Sequence, residues 1–566
     1  MMWYRHHERM TNPVESADQR ASVAAMFPTL TDAQRQRLAA HGHERRIADG
    51  EVLVEVGQRD ITFFVVTAGS IEAVRPSTSV DRIVVTLEPG MFTGEATMLT
   101  GRPAISRLRA SGPSTVIEIP REALLSVIRT DGELSEILLS AFLRRRLELI
   151  ENDVGDVAVL GSTHSADTLR VREFLRRNGH PVKFVDLDRD DDAQDLLDRF
   201  HVTVDDVPVL ISRCETALRN PSNDEIARAL GFNEAIDLTH VHDVVVVGAG
   251  PAGLAAAVYA ASEGLDVLVI EVNAPGGQAG TSSRIENYLG FPTGVSGEKL
   301  ASSAFAQAEK FGARVRIAEG ARHLACDRTP YTVELSGGAR AAARAVVIAT
   351  GASYRRLPLA DVPRFEGNGV YYAATHMEQQ LCRDEEVIVV GAGNSAGQAA
   401  VFLAGSCRRV HLLVRGEGLA DSMSRYLIQR IESHPSIDLR TRTEITALDG
   451  DGHLERVEWT DRRSGRAETH PVRHVFTMTG ADPCTAWLHG CVALDDKGFV
   501  KTGPDLTRDD LAASRWPLER APFLLETSLP GVFAVGDVRS GSMKRVASAV
   551  GEGSTAIALV HQTLAG

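Results

Sequence analysis

The sequence predicts a multidomain α/β protein: an N-terminal jelly roll with trailing helices, a small α/β domain, and a C-terminal region of two dinucleotide-binding units, one inserted into the other. Three observations predict it. Gly248-Ala249-Gly250-Pro251-Ala252-Gly253 and Gly391-Ala392-Gly393-Asn394-Ser395-Ala396 each follow a valine-rich run and open an alanine-rich helix, 143 residues apart. Short alternating apolar runs, broken by Gly57, Gly69, Gly90 and Gly94, occupy 46–119 and pass into helical text from 121 to 150. Strand-like and helix-like runs then alternate between 157 and 230. At 566 residues, 43% apolar and 24% charged, the chain is long enough for three or four globular domains.

In the small α/β domain, 157–160, 183–185 and 209–212 are apolar runs of strand length and 169–177 reads as a helix. The acidic run 186–192 reads as a solvated loop, and 233–240 as a linker.

The first glycine turn carries a full set of signals. Residues 244–247 read as a buried parallel strand, 254–262 as a helix, and Glu271 ends the next apolar run, 23 residues after Gly248. Gly248 allows the tight turn, Gly250 lets backbone approach a pyrophosphate at the positive helix end, and Gly253 permits close helix–strand packing. Glu271 can accept from a ribose 2′-hydroxyl and would repel a 2′-phosphate. The uncharged stretch 244–261 is also 18 residues, the length of a membrane span. Its three glycines and proline, and the charge at Glu263, favour a βαβ unit, so no membrane partner is expected.

The second turn lies between strands at 387–390 and 410–414, with Ala396 in place of the third glycine, which still packs. Runs 345–351 and 474–480 each lead a strand into Thr-Gly, and 531–537 is another apolar strand ending on an acid. Gly551-Glu552-Gly553 reads as the opening of a final helix. The expected domains are 20–150, 155–235, 240–353 joined with 481–566, and an insert at 354–480.

A net charge of −14 argues against nucleic acid as a partner. Residues 1–10 lack an apolar secretory run, which predicts a cytoplasmic protein. The cysteines, at 214, 326, 382, 407, 484 and 491, form no Cys-x-x-Cys and no zinc spacing. That predicts neither a disulfide framework nor a metal site, Cys484 and Cys491 being the nearest pair.

The segment 246–253, Gly276-Gly277-Gln278, Ile285-Glu286-Asn287-Tyr288, the turn at 391–396 and Gly536-Asp537 together resemble the low-molecular-weight thioredoxin reductase family from about 243 onwards. The resemblance implies a homodimeric flavoprotein with FAD on the first turn and NADPH on the second. It implies further that Gln278 and Asn287 contact flavin, that Asp537 holds the ribityl chain, and that Lys544-Arg545-Val546 lies against the isoalloxazine, where a helix N-terminus stabilises negative charge. Arg415, just past the strand ending at Val414, can meet a 2′-phosphate or stand as a solvated cation. Further arginines expected by the family read Gly416 and Ala420, with Arg425 beyond, so NADH stays open beside NADPH.

The chain departs from that family at its redox centre. After Gly369-Val370-Tyr371-Tyr372, where the family carries Cys-x-x-Cys, stand Ala373-Ala374-Thr375-His376. Disulfide exchange needs a thiolate and a resolving thiol, which these residues lack. His376 is the one candidate catalytic group, as a proton shuttle, with a packing role as its alternative. Cys382 is expected to be a small core residue.

Residues 161–210 resemble a glutaredoxin-like, thioredoxin-fold domain, with Val207-Pro208 at its cis-proline; there too Ser165-Ala166-Asp167-Thr168 replaces the cysteine motif, and suits a helix cap. Phe92-Thr93-Gly94-Glu95 and Leu108-Arg109-Ala110 resemble the cyclic-nucleotide-binding domain of bacterial regulators. That resemblance implies Glu95 on the ribose and an arginine on the cyclic phosphate, but the arginine position reads Ala104, with Arg102 two places earlier. Losing such a contact costs on the order of 3 kcal/mol, so a cyclic nucleotide stays an open partner. No DNA-reading helix-turn-helix follows.

The expected function is an FAD-dependent, NAD(P)H-oxidising oxidoreductase passing electrons to a small molecule or a redox protein such as thioredoxin. A flavin- and nucleotide-binding redox sensor with little turnover is the alternative.

Overall fold

Short runs of β-branched and aromatic residues fold the N-terminal region into two facing sheets. Their strands are β1 (His43–Ile47), β2 (Val52–Val54), β3 (Phe63–Ala68), β4 (Ile71–Arg75), β5 (Arg82–Leu87), β6 (Arg107–Ala110) and β7 (Ser114–Ile119). One antiparallel sheet runs β1-β7-β3, the other β2-β6-β4-β5. Phe63, Phe92 and Phe142 meet between them, with ring centroids 5.7–6.2 Å apart. Phe142 comes from the helix Gly132–Glu151, which with the helix Arg121–Thr130 supplies the expected trailing pair.

These coordinates are a computed structural model. It describes residues 25–75, 81–95, 97–151, 157–163, 165–188, 206–212, 216–233, 237, 239–282, 284–285, 287–366, 368–372, 374, 376–420, 422–488 and 490–565. Two compact units are formed, one from Met1–Gly161, Val171–Ala235 and Ala306–Gly312, the other from Ser162–Arg170, Ile236–Phe305 and Ala313–Gly566.

The small α/β region has β8 (Val157–Gly161), β9 (Val182–Asp186), β10 (Val209–Ser212) and β11 (Thr216–Arg219) in the order β11-β10-β8-β9, with only β8 and β9 parallel. Its helix Ala166–Arg177 starts three residues before 169, because Ser165 Oγ accepts from the Thr168 N–H at 3.3 Å and caps it. The Val207–Pro208 peptide is cis. Most of the acidic run lies outside the described residues; Asp186 ends β9.

In the second unit, β12 (Val241–Val247), β13 (Val267–Glu271), β14 (Arg314–Ile317), β15 (Ala321–Ala325), β16 (Tyr331–Leu335) and β17 (Arg340–Ile348) form one sheet, ordered β14-β13-β12-β17-β16-β15. β12 has parallel neighbours on both edges and is apolar on both faces, which explains its unbroken valines. β18 (Ala352–Tyr354) then leads to a parallel sheet of β19 (Val370–Tyr371), β20 (Glu386–Val390), β21 (Arg409–Val414) and β22 (Ile437–Thr441), which is joined later by β26. An antiparallel meander, β23 (Thr443–Asp449), β24 (Arg456–Asp461) and β25 (Ala467–His470), precedes β26 (His474–Thr477) and β27 (Ala481–Pro483). β27 pairs with β18, and β28 (Val532–Ala534) pairs in parallel with β17, so the chain leaves the first sheet and returns to it.

Among the described residues no helix is long and apolar enough to cross a membrane. The 18-residue uncharged stretch divides between β12 and the helix Pro251–Ser262.

Two expectations are corrected. The final helix spans Val546–Ala565 rather than opening at Gly551. Gly553 lies inside it because a Cβ there would collide with the Ala252 carbonyl oxygen, so the glycine permits close packing on the helix Pro251–Ser262. Against the expectation of no disulfide, Cys491 is bonded to Cys326, 165 residues away, with Cα atoms 6.0 Å apart, while Cys484 stays free. Spacing along the chain hid the pair because the return from the second sheet lays the segment after β27 beside β15.

Candidate dinucleotide-binding sites

The first turn sits where β12, β17 and β28 end together. Gly248 N–H donates to the Ile270 carbonyl at 2.7 Å and Ala349 N–H to the Val247 carbonyl at 2.8 Å, holding the turn across three strands. Gly248 has φ +104°, and a Cβ there would strike the Ala349 carbonyl oxygen. Gly250 is the N-cap of the helix Pro251–Ser262, and no side chain caps it. Pro251 stands at N1, and Ala252 and Gly253 are buried in the first turn. The first helical N–H groups thus have no side-chain acceptor there, the geometry that favours an anion. Gly277 faces Gly250 backbone to backbone, the cradle that a pyrophosphate needs.

Glu271 is 6% exposed. Its carboxylate accepts from the Ala249 N–H at 2.7 Å and the Asn273 N–H at 2.9 Å, so it lies against the glycine turn. Gln278 donates through Nε2 to the Ala352 carbonyl, at the start of β18. Asn287 is exposed; Glu286 beside it lies outside the described residues. Gly536 and Asp537 begin the turn after β28, and burial pushes the Asp537 carboxyl above its ordinary range. Lys544 and Arg545 are exposed just before Val546, the first residue of the last helix.

Sequence reasoning left out two residues of this turn. Glu552 accepts from the Gly536 N–H at 2.7 Å and from Arg539 Nη2 at 2.6 Å, tying the final helix to the Gly-Asp turn. An acid between two glycines in an alanine-rich helix was the available signal.

The second turn repeats the pattern at the ends of β20 and β26. Gly391 has φ +146° and lies against the Met478 carbonyl oxygen; Gly393 is the uncapped N-cap of the helix Asn394–Leu403. Asn394 Oδ1 accepts from the Ser424 N–H at 2.7 Å, and Ser422 Oγ donates to the Ala392 carbonyl at 3.0 Å, so 422–424 close over the turn. Ser395 is exposed and Ala396 buried. Arg415 is exposed one residue past β21, and Arg425 opens the helix Arg425–Ser433.

Ala373 and Thr375 lie outside the described residues, and His376 is described only as the first residue of the helix His376–Leu381. Cys382 is fully buried but not alone: its sulfur is 3.6 Å from that of Cys407. The hydrogen bond shared with Cys407, with burial, raises the Cys382 thiol far above its ordinary range. Cys214 lies outside the described residues; Cys484 is half-buried, and burial raises its thiol.

His240, His242 and Asp266 hold their donor atoms within 4.8 Å of one another, a grouping that the sequence reading did not foresee. Arg314 Nη2 stands 3.1 Å from Asp266 Oδ1, so a guanidinium already supplies positive charge to that carboxylate.

In the jelly roll, Ala104 is 5% exposed and lines a cavity with Glu95. Arg102 turns elsewhere: Nη1 donates to the Asn178 carbonyl at 2.7 Å, and the guanidinium covers the Phe232 ring at 4.3 Å. Arg109 pairs with Glu72 and Asp81.

Comparison with known proteins agrees with this architecture. Residues 44–131 match the cyclic nucleotide-binding domain family, and residues 242–553 match the pyridine nucleotide-disulphide oxidoreductase family. A thioredoxin reductase of Mycolicibacterium smegmatis is 34% identical over 317 residues, 56% of this chain and 94% of that protein. One from Listeria monocytogenes is 30% identical over 317 residues, 56% of this chain and 92% of that protein. Solved thioredoxin reductases from Lactococcus lactis and T. acidophilum superpose with a TM-score of 0.51 each, at 25% and 28% identity, covering 57% of this chain and 99% of theirs. With its two glycine turns at equivalent strand ends and more than half its length matched, the chain belongs to the pyridine nucleotide-disulphide oxidoreductase family, among the relatives of thioredoxin reductases.

Proposed function

We propose that the chain is an FAD-dependent oxidoreductase that draws hydride from NADPH through an insert at 354–480 docked into an FAD domain formed by 240–353 and 481–566. The observation that carries this reading is the pair of glycine turns, each ending a central parallel strand and each opening a helix whose N-terminus no side chain caps. The first turn fits FAD: Gly250 and Gly277 leave room for backbone contact with a pyrophosphate, and Glu271 brings a carboxylate suited to an unphosphorylated ribose. Gly248 and Gly253 shape that turn; Gln278, Asn287, Asp537 and the 544–546 segment are the further FAD-binding residues of the proposal. Flavin supplies two-electron acceptance from a nicotinamide and onward transfer. The protein's part is to bind, orient and exclude water. The N-terminus of the last helix at Val546 would lend positive dipole to a bound, reduced flavin ring.

In the second site, Gly391, Gly393, Asn394 and Ser395 take the nicotinamide dinucleotide, and Arg415 is the cation for its 2′-phosphate. Arg415→Ala is expected to raise KM for NADPH about 10- to 100-fold with kcat and the KM for NADH unchanged, since one charge-assisted contact is lost before chemistry. Equal effects on the two cofactors, read by steady-state kinetics, would make Arg415 a plain surface cation.

The electron exit differs from disulfide exchange. Residues 373–376 read Ala-Ala-Thr-His, and Cys382 and Cys407 are buried together, away from solvent. The acceptor is therefore a small molecule such as a quinone, with His376 as the proton-carrying candidate. In anaerobic turnover with NADPH, a naphthoquinone is expected to be reduced at least about 100-fold faster than thioredoxin, for want of an attacking thiolate. Thioredoxin reduced at a comparable rate overturns this acceptor, and a purified protein without flavin overturns the enzyme reading itself.

A further inference from the structure

The jelly-roll cavity combines a wall of a cyclic-nucleotide-type domain with the loss of its phosphate-holding charge. We propose that this cavity binds an uncharged, predominantly apolar small molecule with one polar end, and does not bind a cyclic nucleotide.

The wall is largely hydrocarbon: Val54, Val85, Leu87 and Leu108 face it from the β2-β6-β4-β5 sheet, Ile61 from the loop before β3, and Met98 from the short helix Thr97–Thr100. Among the described residues its charged groups are Glu95, Glu148 and Arg145, two carboxylates against one guanidinium. Two of the guanidinium's three nitrogens are engaged, while Nη2 is buried with no partner among the described residues. Arg145 Nη1 donates to the Gly94 carbonyl at 2.6 Å and Nε to the Met26 carbonyl at 2.9 Å, and the group lies 4.6 Å and 4.7 Å from the Phe27 and Phe92 ring centres. Burial pushes it down to about 9, the sign of a cation with little solvent to support it.

Neither of the other arginines replaces it. Arg102 is committed to Asn178 and Phe232, and Arg146 spends Nη1 on Glu95 Oε2 at 2.9 Å. A phosphate diester entering here would lose its water and meet Ala104, a methyl group, where the family's arginine would stand. A neutral apolar molecule has no such cost and replaces water along the hydrocarbon wall. The same wall offers two sites for the polar end: Glu95 Oε1, which can accept, and Arg145 Nη2, which can donate, are both buried with no partner among the described residues.

The test uses the full-length flavoprotein and the neutral probe N-phenyl-1-naphthylamine, which carries one N–H, followed by equilibrium dialysis. One saturable site per chain is expected. Val85→Trp and Ala73→Trp, both filling the cavity, are each expected to weaken the probe at least tenfold while flavin content and circular dichroism stay unchanged. Ala104→Arg is expected to weaken the probe and to make cyclic AMP binding measurable, whereas the unaltered protein neither binds cyclic AMP at millimolar concentration nor releases the probe to it. Three results would overturn the proposal: cyclic AMP binding by the unaltered protein, absence of a saturable probe site, or probe binding indifferent to both folded tryptophan variants.

Discussion

Glu526→Ala is expected to destabilise the protein by about 3 kcal/mol and to loosen its hold on flavin. Glu526 is fully buried and accepts four hydrogen bonds: from Arg520 Nη1 at 2.6 Å and Nη2 at 3.0 Å, from the Phe523 N–H at 2.8 Å, and from the Gly531 N–H at 2.9 Å. Removing the carboxylate leaves two backbone N–H groups without their acceptor. It also strips the counter-charge from Arg520, whose side chain is 32% exposed and recovers part of its loss from water, which sets the effect at the lower end for a broken buried pair. The carboxylate closes the loop that enters β28, and β28 leads directly to Gly536 and Asp537. Glu526→Gln keeps the shape and one acceptor, so about half the loss is expected. Urea unfolding followed by flavin release measures both; an alanine variant within about 1 kcal/mol of the parent would refute the anchoring role.

Gly253→Val is expected to yield a protein with at least a hundredfold weaker flavin binding, about 3 kcal/mol. A Cβ at Gly253 would collide with the Gly248 carbonyl oxygen and come within 3.2 Å of Ala349 Cβ, forcing the helix Pro251–Ser262 off the strand ends that aim its N-terminus. The equivalent place in the second turn already holds a methyl group, Ala396, buried at 0% exposure. Ala396→Gly is accordingly expected to change NADPH affinity little. Flavin content after purification, compared at equal circular dichroism, separates loss of the site from loss of the fold, and a Gly253→Val protein retaining stoichiometric flavin would show that the helix has room to shift.

How far the sequence was legible follows from how far apart the interacting residues stand. The glycine turns, their strands and Glu271 lie within about two dozen residues, and local pattern placed each of them: β13 does end on Glu271, and Ser165 does cap its helix. The start of the last helix was misplaced because Gly551 and Gly553 read locally as breakers. Only the helix packed against Gly553 supplies the reason for its lack of a side chain.

What the sequence by itself determined is the strands and helices that flank the two glycine turns, because periodicity and turn residues act over a few neighbouring positions. Only the tertiary structure decided partners across distance. It paired Cys326 with Cys491 and brought Cys382 to Cys407, it set Glu552 on the Gly536 turn, and it drew Arg102 away from the jelly-roll cavity. Those choices depend on which surfaces the folded chain packs together, and that information is spread over the whole core rather than written beside any one residue.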